Sequence, residues 1–267
     1  MTLKFSRKQL CIPYTLFLVL FVIIPILVIV YYAFTDKSTG AFTLNNFIRF
    51  FSDNTQLTTL LSSIGLGLLT TLLCLVIGYP IAYLLSNSKY NKNTILILLF
   101  VMPMWINFVM RAVALRELLY MLGLRGSNMS FFKTLVGMVY DFLPFMILPL
   151  YTTMVKMDKS VIEAAADLGA NNAQVFVKAV IPLSMPGIVS GITMVFMPTM
   201  TCYVVSDIMS ERSFEVLGTL IDRNFMDNWN VASAIAIILL VIIGLGMIIT
   251  NKFGDDSSVE ARGGGLW

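Results

Sequence analysis

Six long apolar windows, with few or no Lys, Arg, Asp or Glu residues, recur along the chain. Each approaches the roughly 20 residues that a helix needs to cross about 30 Å of hydrocarbon. They place spans at about 12–34, 57–85, 93–115, 134–155, 186–207 and 229–251. The third runs past Arg111 and the fourth is interrupted by Asp141. An even number of spans puts both termini on one side. The first window follows Lys4, Arg7 and Lys8 but exceeds the ~7–15 residues of a signal-peptide core, and no small-x-small cleavage pattern follows Tyr32, so it reads as a retained anchor. No internal repeat or domain linker is evident, and 1–267 is read as a single all-α transmembrane domain of six helices.

Composition agrees. Of 267 residues, 58% are hydrophobic and 12% charged, the latter about half the ~25% usual in soluble domains. That excludes the soluble enzyme and DNA-binding classes. With no His, an imidazole base, proton relay or His-based zinc site is absent. Cys11, Cys74 and Cys202 stand alone in apolar stretches and read as small hydrophobes. No Gly-x-x-x-x-Gly-Lys-Ser/Thr loop occurs, so ATP has no phosphate cradle in this chain. No catalytic residue, metal site or cofactor is therefore expected within it, and a net charge of +3 points to no nucleic-acid partner. A slight excess of Lys and Arg, with the N-terminal cluster and the short Ser86–Asn93 loop, favours cytoplasmic termini.

All nine prolines lie in or beside apolar segments, with a concentration in spans three to five. Bent or interrupted membrane helices are tolerated where neighbours or a cavity satisfy the freed backbone groups. Gly187 and Gly191 form a Gly-x-x-x-Gly close-packing pattern. Asn128-Met129-Ser130 matches the glycosylation acceptor pattern, and Gly263-Gly264-Gly265 reads as a flexible tail.

The segment 160–182 between spans four and five is the most informative. Ser160 and Glu163 have capping-box spacing before an Ala-rich run, and Gly169 suits a left-handed C-terminal cap. Asn171 with Gln174 offers a second helix start, and Pro182 is expected to close that helix. Two readings of this helix–turn–helix stand on composition: a compact Ala surface, flanked by Glu163 and Asp167, that docks another protein, or an amphipathic connector on the lipid surface.

Glu163-Ala164-Ala165, then Gly169, then Ile181-Pro182 resembles the EAA motif of ATP-binding-cassette (ABC) importer permeases. The usual Leu-Pro ending reads Ile181-Pro182 here. Within that family the chain is similar to the B-type permeases of spermidine/putrescine importers at Gly78-Tyr79-Pro80, at Pro103-Met104-Trp105-Ile106-Asn107 with Arg111, and at Leu143-Pro144-Phe145. It is also similar at Met157-Asp158-Lys159, at Leu183-Ser184-Met185-Pro186-Gly187 and at Ser206-Asp207. Met104 and Val113 stand where that subfamily usually has Phe and Tyr, a departure that touches the polyamine reading and leaves the importer reading intact. The resemblance implies a type I importer fold with a cytoplasmic coupling helix, in which Glu163, Ala164, Ala165, Asp167, Gly169 and Pro182 couple to a separate ATPase. It also implies a bacterial plasma-membrane location. The partners it implies are two ATPase subunits that bind ATP and Mg, a second homologous permease as heterodimer, and an external polyamine-binding protein.

An ionisable group inside the bilayer marks a functional site by default. Asp141 and Asp207 are the candidate path for a polyamine, with Trp105 and Tyr203 as cation–π surfaces or, alternatively, as interface-belt or packing rings. For Asp141 the alternative is a structural carboxylate paired with an Arg or Lys, and for Arg111 an interface anchor or salt-bridge partner. The segment from Asp207 to Asn230 carries net negative charge, which reads either as a surface that collects polycations or as an ordinary solvated loop. Competing readings are the same machine for an organic phosphonate, an oxyanion or another small cation, a stand-alone channel or carrier, and a membrane-embedded enzyme.

Overall fold

The computed structural model describes residues 7–87, 95–126 and 129–262. Lys4, most of the Ser86–Asn93 loop, Asn128 and the Gly263-Gly264-Gly265 tail lie outside the described residues. Two compact units are present, Met1–Thr58 with Thr219–Ile242 and Thr59–Gly218 with Ile243–Trp267. Apart from an isolated bridge between Thr35 and Phe42, the described residues carry helix and turns only.

In the first unit, α1 (Arg7–Leu18), a π-helical turn (Val19–Ile23) and α2 (Ile24–Ala33) run on as one helix. The stretch Pro13–Ala33 is long and apolar enough to span a membrane. The π turn has a local cause. Pro25 has no N–H and its ring would meet the carbonyl one turn back, and a widened turn relieves both. Beyond Ala33, a tight turn leads to the short α3 (Asn45–Ser52). The side-chain amide of Asn46 donates to the carbonyls of Ala33 (2.9 Å) and Thr35 (3.0 Å). Asn230, at the start of α13 (Trp229–Arg262), donates to the carbonyls of Tyr32 (3.0 Å) and Thr35 (2.7 Å). Two amides thus satisfy carbonyls that the end of α2 leaves without helical partners.

The second unit is built on α7 (Ser130–Val155) packed along α10 (Ile181–Thr201). Its core is rich in methionine and aliphatic side chains: Leu66, Met138, Met146, Ile147, Leu150 and Met209 are buried. The Gly187/Gly191 pattern lies in this contact. A Cβ on Gly187 would sit 2.9 Å from the Pro149 carbonyl, and one on Gly191 2.5 Å from Met146 Sδ. Small residues here let the two helices approach, as expected from their spacing. The unit also takes in most of α4 (Asn54–Ser86), which passes through Pro80 without a break.

Two expectations about span geometry change. The third span is bent by 100° between Leu96–Trp105 and Phe108–Met121. After α5 (Ile95–Val101), Pro103 lies in a 3-10 turn, Ile106 is extended, and Asn107 caps α6 (Phe108–Met121) by accepting from the Val109 N–H at 2.9 Å. The fifth helix is longer at its start and shorter at its end than 186–207. Pro182 does not close the second helix of the 160–182 segment. α9 (Asn172–Val175), a π turn (Phe176–Val180) and α10 run continuously as Asn172–Thr201, the π turn absorbing the proline as it does before Pro25. At the far end the chain breaks at Cys202, and Tyr203 and Asp207 lie on a separate α11 (Tyr203–Ser210).

Candidate substrate cavity and coupling surface

Both breaks face one cavity. A hollow of about 570 Å³ is lined by Trp105 and Asn107 at the first break, Cys202 and Tyr203 at the second, and Arg111, Asp141, Phe142 and Phe145 between them. Its volume falls in the 300–1,000 Å³ range of small-molecule sites. Non-helical backbone at membrane depth is tolerated where it lines a cavity, and here both interruptions do.

The charged groups in the wall form a pair. Arg111, one turn into α6, brings Nη2 to 3.3 Å from Asp141 Oδ1 on α7, and the two side chains are 7% and 3% exposed. The guanidinium also lies 5.9 Å from the Tyr140 ring centroid. Nε and Nη1 of Arg111 have no hydrogen-bond partner among the described residues. A buried charge pair with open hydrogen-bonding capacity recovers little of its desolvation cost. Of the four sequence-predicted pathway residues, the structure gathers Trp105, Asp141 and Tyr203 around this hollow and leaves Asp207 outside its lining. Trp105 is 85% exposed at the rim. Asp207 instead lies 3.9 Å from Arg212 Nε.

The segment between spans four and five folds as α8 (Lys159–Asp167), a turn and α9. The first helix start differs from expectation. Asp158, not Ser160, provides the cap, accepting from the Ser160 N–H at 2.9 Å. Those hydrogen bonds from Ser160 hold the Asp158 carboxyl below its ordinary pKa. Asp158 stands one residue before the helix, where an acceptor reaches the free N–H groups. Gly169 is left-handed at φ +83°, and the Ala170 N–H bonds back to the Ala165 carbonyl at 3.2 Å, a Schellman closure. The Asn171/Gln174 capping box forms in both directions, at 2.9 and 3.0 Å.

On α8, Glu163, Ala164 and Asp167 are exposed and Ala165 is half-buried. Ile162 and Glu163 border a smaller hollow of about 210 Å³ with Tyr83, Ser86 and Val180. Pro182 lies in the first turn of α10. At 3.6 residues per turn, Val161, Ala164 and Leu168 share the outward face, and Leu168 is 89% exposed. An apolar face edged by Glu163 and Asp167 is presented away from the unit's own core.

Residues 95–253 match the family model described as binding-protein-dependent transport system inner membrane component. The chain belongs to this family. It is 34% identical over 253 residues to the spermidine/putrescine transport system permease protein PotB of Escherichia coli (strain K12), covering 87% of this chain and 92% of that one. With the PotB of Haemophilus influenzae it shares 31% identity, covering 91% of each. Its fold matches a chain of the bacterial alginate ABC transporter solved in complex with an alginate pentasaccharide-bound periplasmic protein, with TM-score 0.70, 15% identity and 92% of each chain covered. The protein is a membrane-spanning transport permease, not an enzyme.

Several residues of the permease's candidate sites escaped the sequence reading. Leu168 and Val161 carry the largest exposed apolar surface on the outward face of α8, and only its helical phase would have grouped them with Ala164. Asn107 was visible as part of a Pro-x-Trp-x-Asn run, but not as the cap that turns the chain. Phe142 and Phe145 follow Asp141 in sequence and line the same hollow.

Proposed function

We propose that this chain is the B-type permease subunit of a bacterial polyamine importer, working by alternating access with both termini in the cytoplasm. The whole of 1–267 acts as one permease domain. ATP and Mg are bound by two separate ATPase subunits docked on the 160–182 segment through Glu163, Ala164, Ala165, Asp167 and Gly169. A second, homologous permease completes the pathway, and an external binding protein delivers the polyamine. The observation that carries the reading is the buried Asp141 in the wall of an aromatic-lined hollow at two helix breaks. A substrate ammonium takes the place of the Arg111 guanidinium at this carboxylate, with Trp105 and Tyr203 offering ring faces to the rest of the chain. The π turn before Pro182 keeps the coupling segment continuous with α10, so that a push on α8 reaches the second break. Asp207 lies off the hollow and serves the approach of the polycation.

The test is competition. Co-reconstituted with its partner subunits, the wild-type chain should give ATP-dependent uptake of labelled spermidine that putrescine inhibits and organic phosphonates and oxyanions do not. Uptake inhibited by the anions and indifferent to putrescine would assign another cargo.

A further inference from the structure

The short helix α3 lies outside the pathway and the coupling surface, and its surface is unusual. At 3.6 residues per turn, Phe50, Phe47, Phe51 and Ile48 follow one another around a single arc, and Ser52, Asn45 and Arg49 fill the opposite one. The protein covers only one edge of the apolar arc. Phe50 is fully buried, whereas Phe51 and Ile48 are 54% and 57% exposed.

The level of this helix relative to the bilayer is set twice. Pro13–Ala33 contains 21 residues, about 32 Å at 1.5 Å per residue against a hydrocarbon thickness of about 30 Å. Ala33 therefore stands at the edge of the apolar layer, and Asn46 in the first turn of α3 is hydrogen-bonded to its carbonyl. Independently, the apolar stretch Trp229–Thr250 begins at the same junction, with Asn46 and Asn230 both donating to the Thr35 carbonyl. Exposed rings mark the same height: Tyr31 and Tyr32 at the end of α2, and Trp229, whose ring centroid lies 6.4 Å from that of Tyr32. Tyr and Trp collect at the headgroup level.

We infer that α3 is an interfacial helix. It lies in the membrane plane with Phe51 and Ile48 in the acyl boundary and Arg49 toward headgroups and water, anchoring the end of the first span. The occupant of its open face is the lipid surface. The first span that ends beside it is only 6% buried, as a lipid-facing helix is, and the sole charge of α3 lies opposite its apolar arc, the arrangement of an amphipathic helix at a bilayer surface.

The experiment uses the full chain in bilayers of phosphatidylethanolamine and phosphatidylglycerol, with and without its partner subunits. Spin labels are placed by Ile48→Cys, Arg49→Cys and Phe51→Cys after replacing Cys11, Cys74 and Cys202 with Ala. Collision with oxygen should exceed collision with an aqueous nickel chelate at 48 and 51, with the order reversed at 49. Equal aqueous access at all three positions would overturn the inference. So would low collision with both reagents at 48 and 51, the sign of a protein covering the face. Phe51→Trp in the chain with native cysteines gives a second readout: its added fluorescence should be lost to lipids brominated near the headgroup and kept in aqueous acrylamide. The reverse pattern would be fatal to the idea.

Discussion

Arg111 of α6 and Asp141 of α7 meet at 3.3 Å inside the wall of the hollow, each almost fully withdrawn from solvent. Removing one member of a buried ion pair leaves an uncompensated charge and costs about 3–5 kcal/mol, whereas replacing both with apolar groups is often neutral. Arg111→Met alone and Asp141→Asn alone should each lower the detergent unfolding midpoint, and Arg111→Met with Asp141→Leu should recover it. Uptake should stay lost in the double variant. Uptake that returns with stability would reduce Asp141 to a structural carboxylate.

The contact of α7 with α10 predicts a graded response to a single methyl group. At Gly187 the new Cβ would meet the Pro149 backbone carbonyl, and at Gly191 the flexible end of Met146. Gly187→Ala should cost about 1–3 kcal/mol, as overpacking does, and Gly191→Ala less. Gly65, with nothing near its Cβ direction, should accept Ala with a gain of about 0.5–1 kcal/mol, as a helix interior does. Thermal unfolding of the three purified variants, read by the same probe, checks the order.

The turn after α8 separates shape from contact. Gly169 has φ +83° and open space beyond its Cβ direction, so only the backbone penalises a side chain there, by about 1–2 kcal/mol. Gly169→Asn should keep most ATP-driven transport, because Asn tolerates the left-handed region, and Gly169→Val should lose it. Leu168→Asp leaves the turn intact yet places a charge on the docking face. It should raise uncoupled ATP hydrolysis or release the ATPase while the permease still expresses.

These expectations show where the sequence was legible. Span existence followed from charge-free windows, because lipid imposes that pattern directly, and Gly169 and the Asn171/Gln174 box followed from short-range backbone chemistry. The bend at Asn107 and the break at Cys202 were hidden because proline marks a possible interruption, not its direction. Pro182 misled for a related reason: a π turn can absorb the missing N–H, and nothing local in the sequence announces it. The pairing of Arg111 with Asp141 spans 30 positions, and only packing of α6 on α7 decides which cation meets the carboxylate.

A pH effect is expected in the turn after the first span. Asp36 accepts hydrogen bonds from the backbone N–H groups of Ser38 and Thr39, at 2.9 and 3.1 Å, and from their hydroxyls. These bonds, the Ser38 hydroxyl foremost, lower its pKa to about 2 from 3.8. Its folded pKa is the lower one, so the contribution to turn stability is complete above about 4 and disappears as pH falls through about 2. Amide protection at Ser38 and Thr39 should fall over that window in the wild type. In Asp36→Asn it should be weaker at neutral pH and flat across the same window.

On the proposed function, a separate ATPase drives this permease through α8. The most direct measurement is labelled polyamine uptake into proteoliposomes holding the chain with its partner subunits, with and without ATP, beside the chain alone. Uptake only with ATP and partners, abolished by Glu163→Lys at undiminished permease level, is the predicted result. Uptake by the lone chain without nucleotide, at the rate of the full assembly, would contradict it.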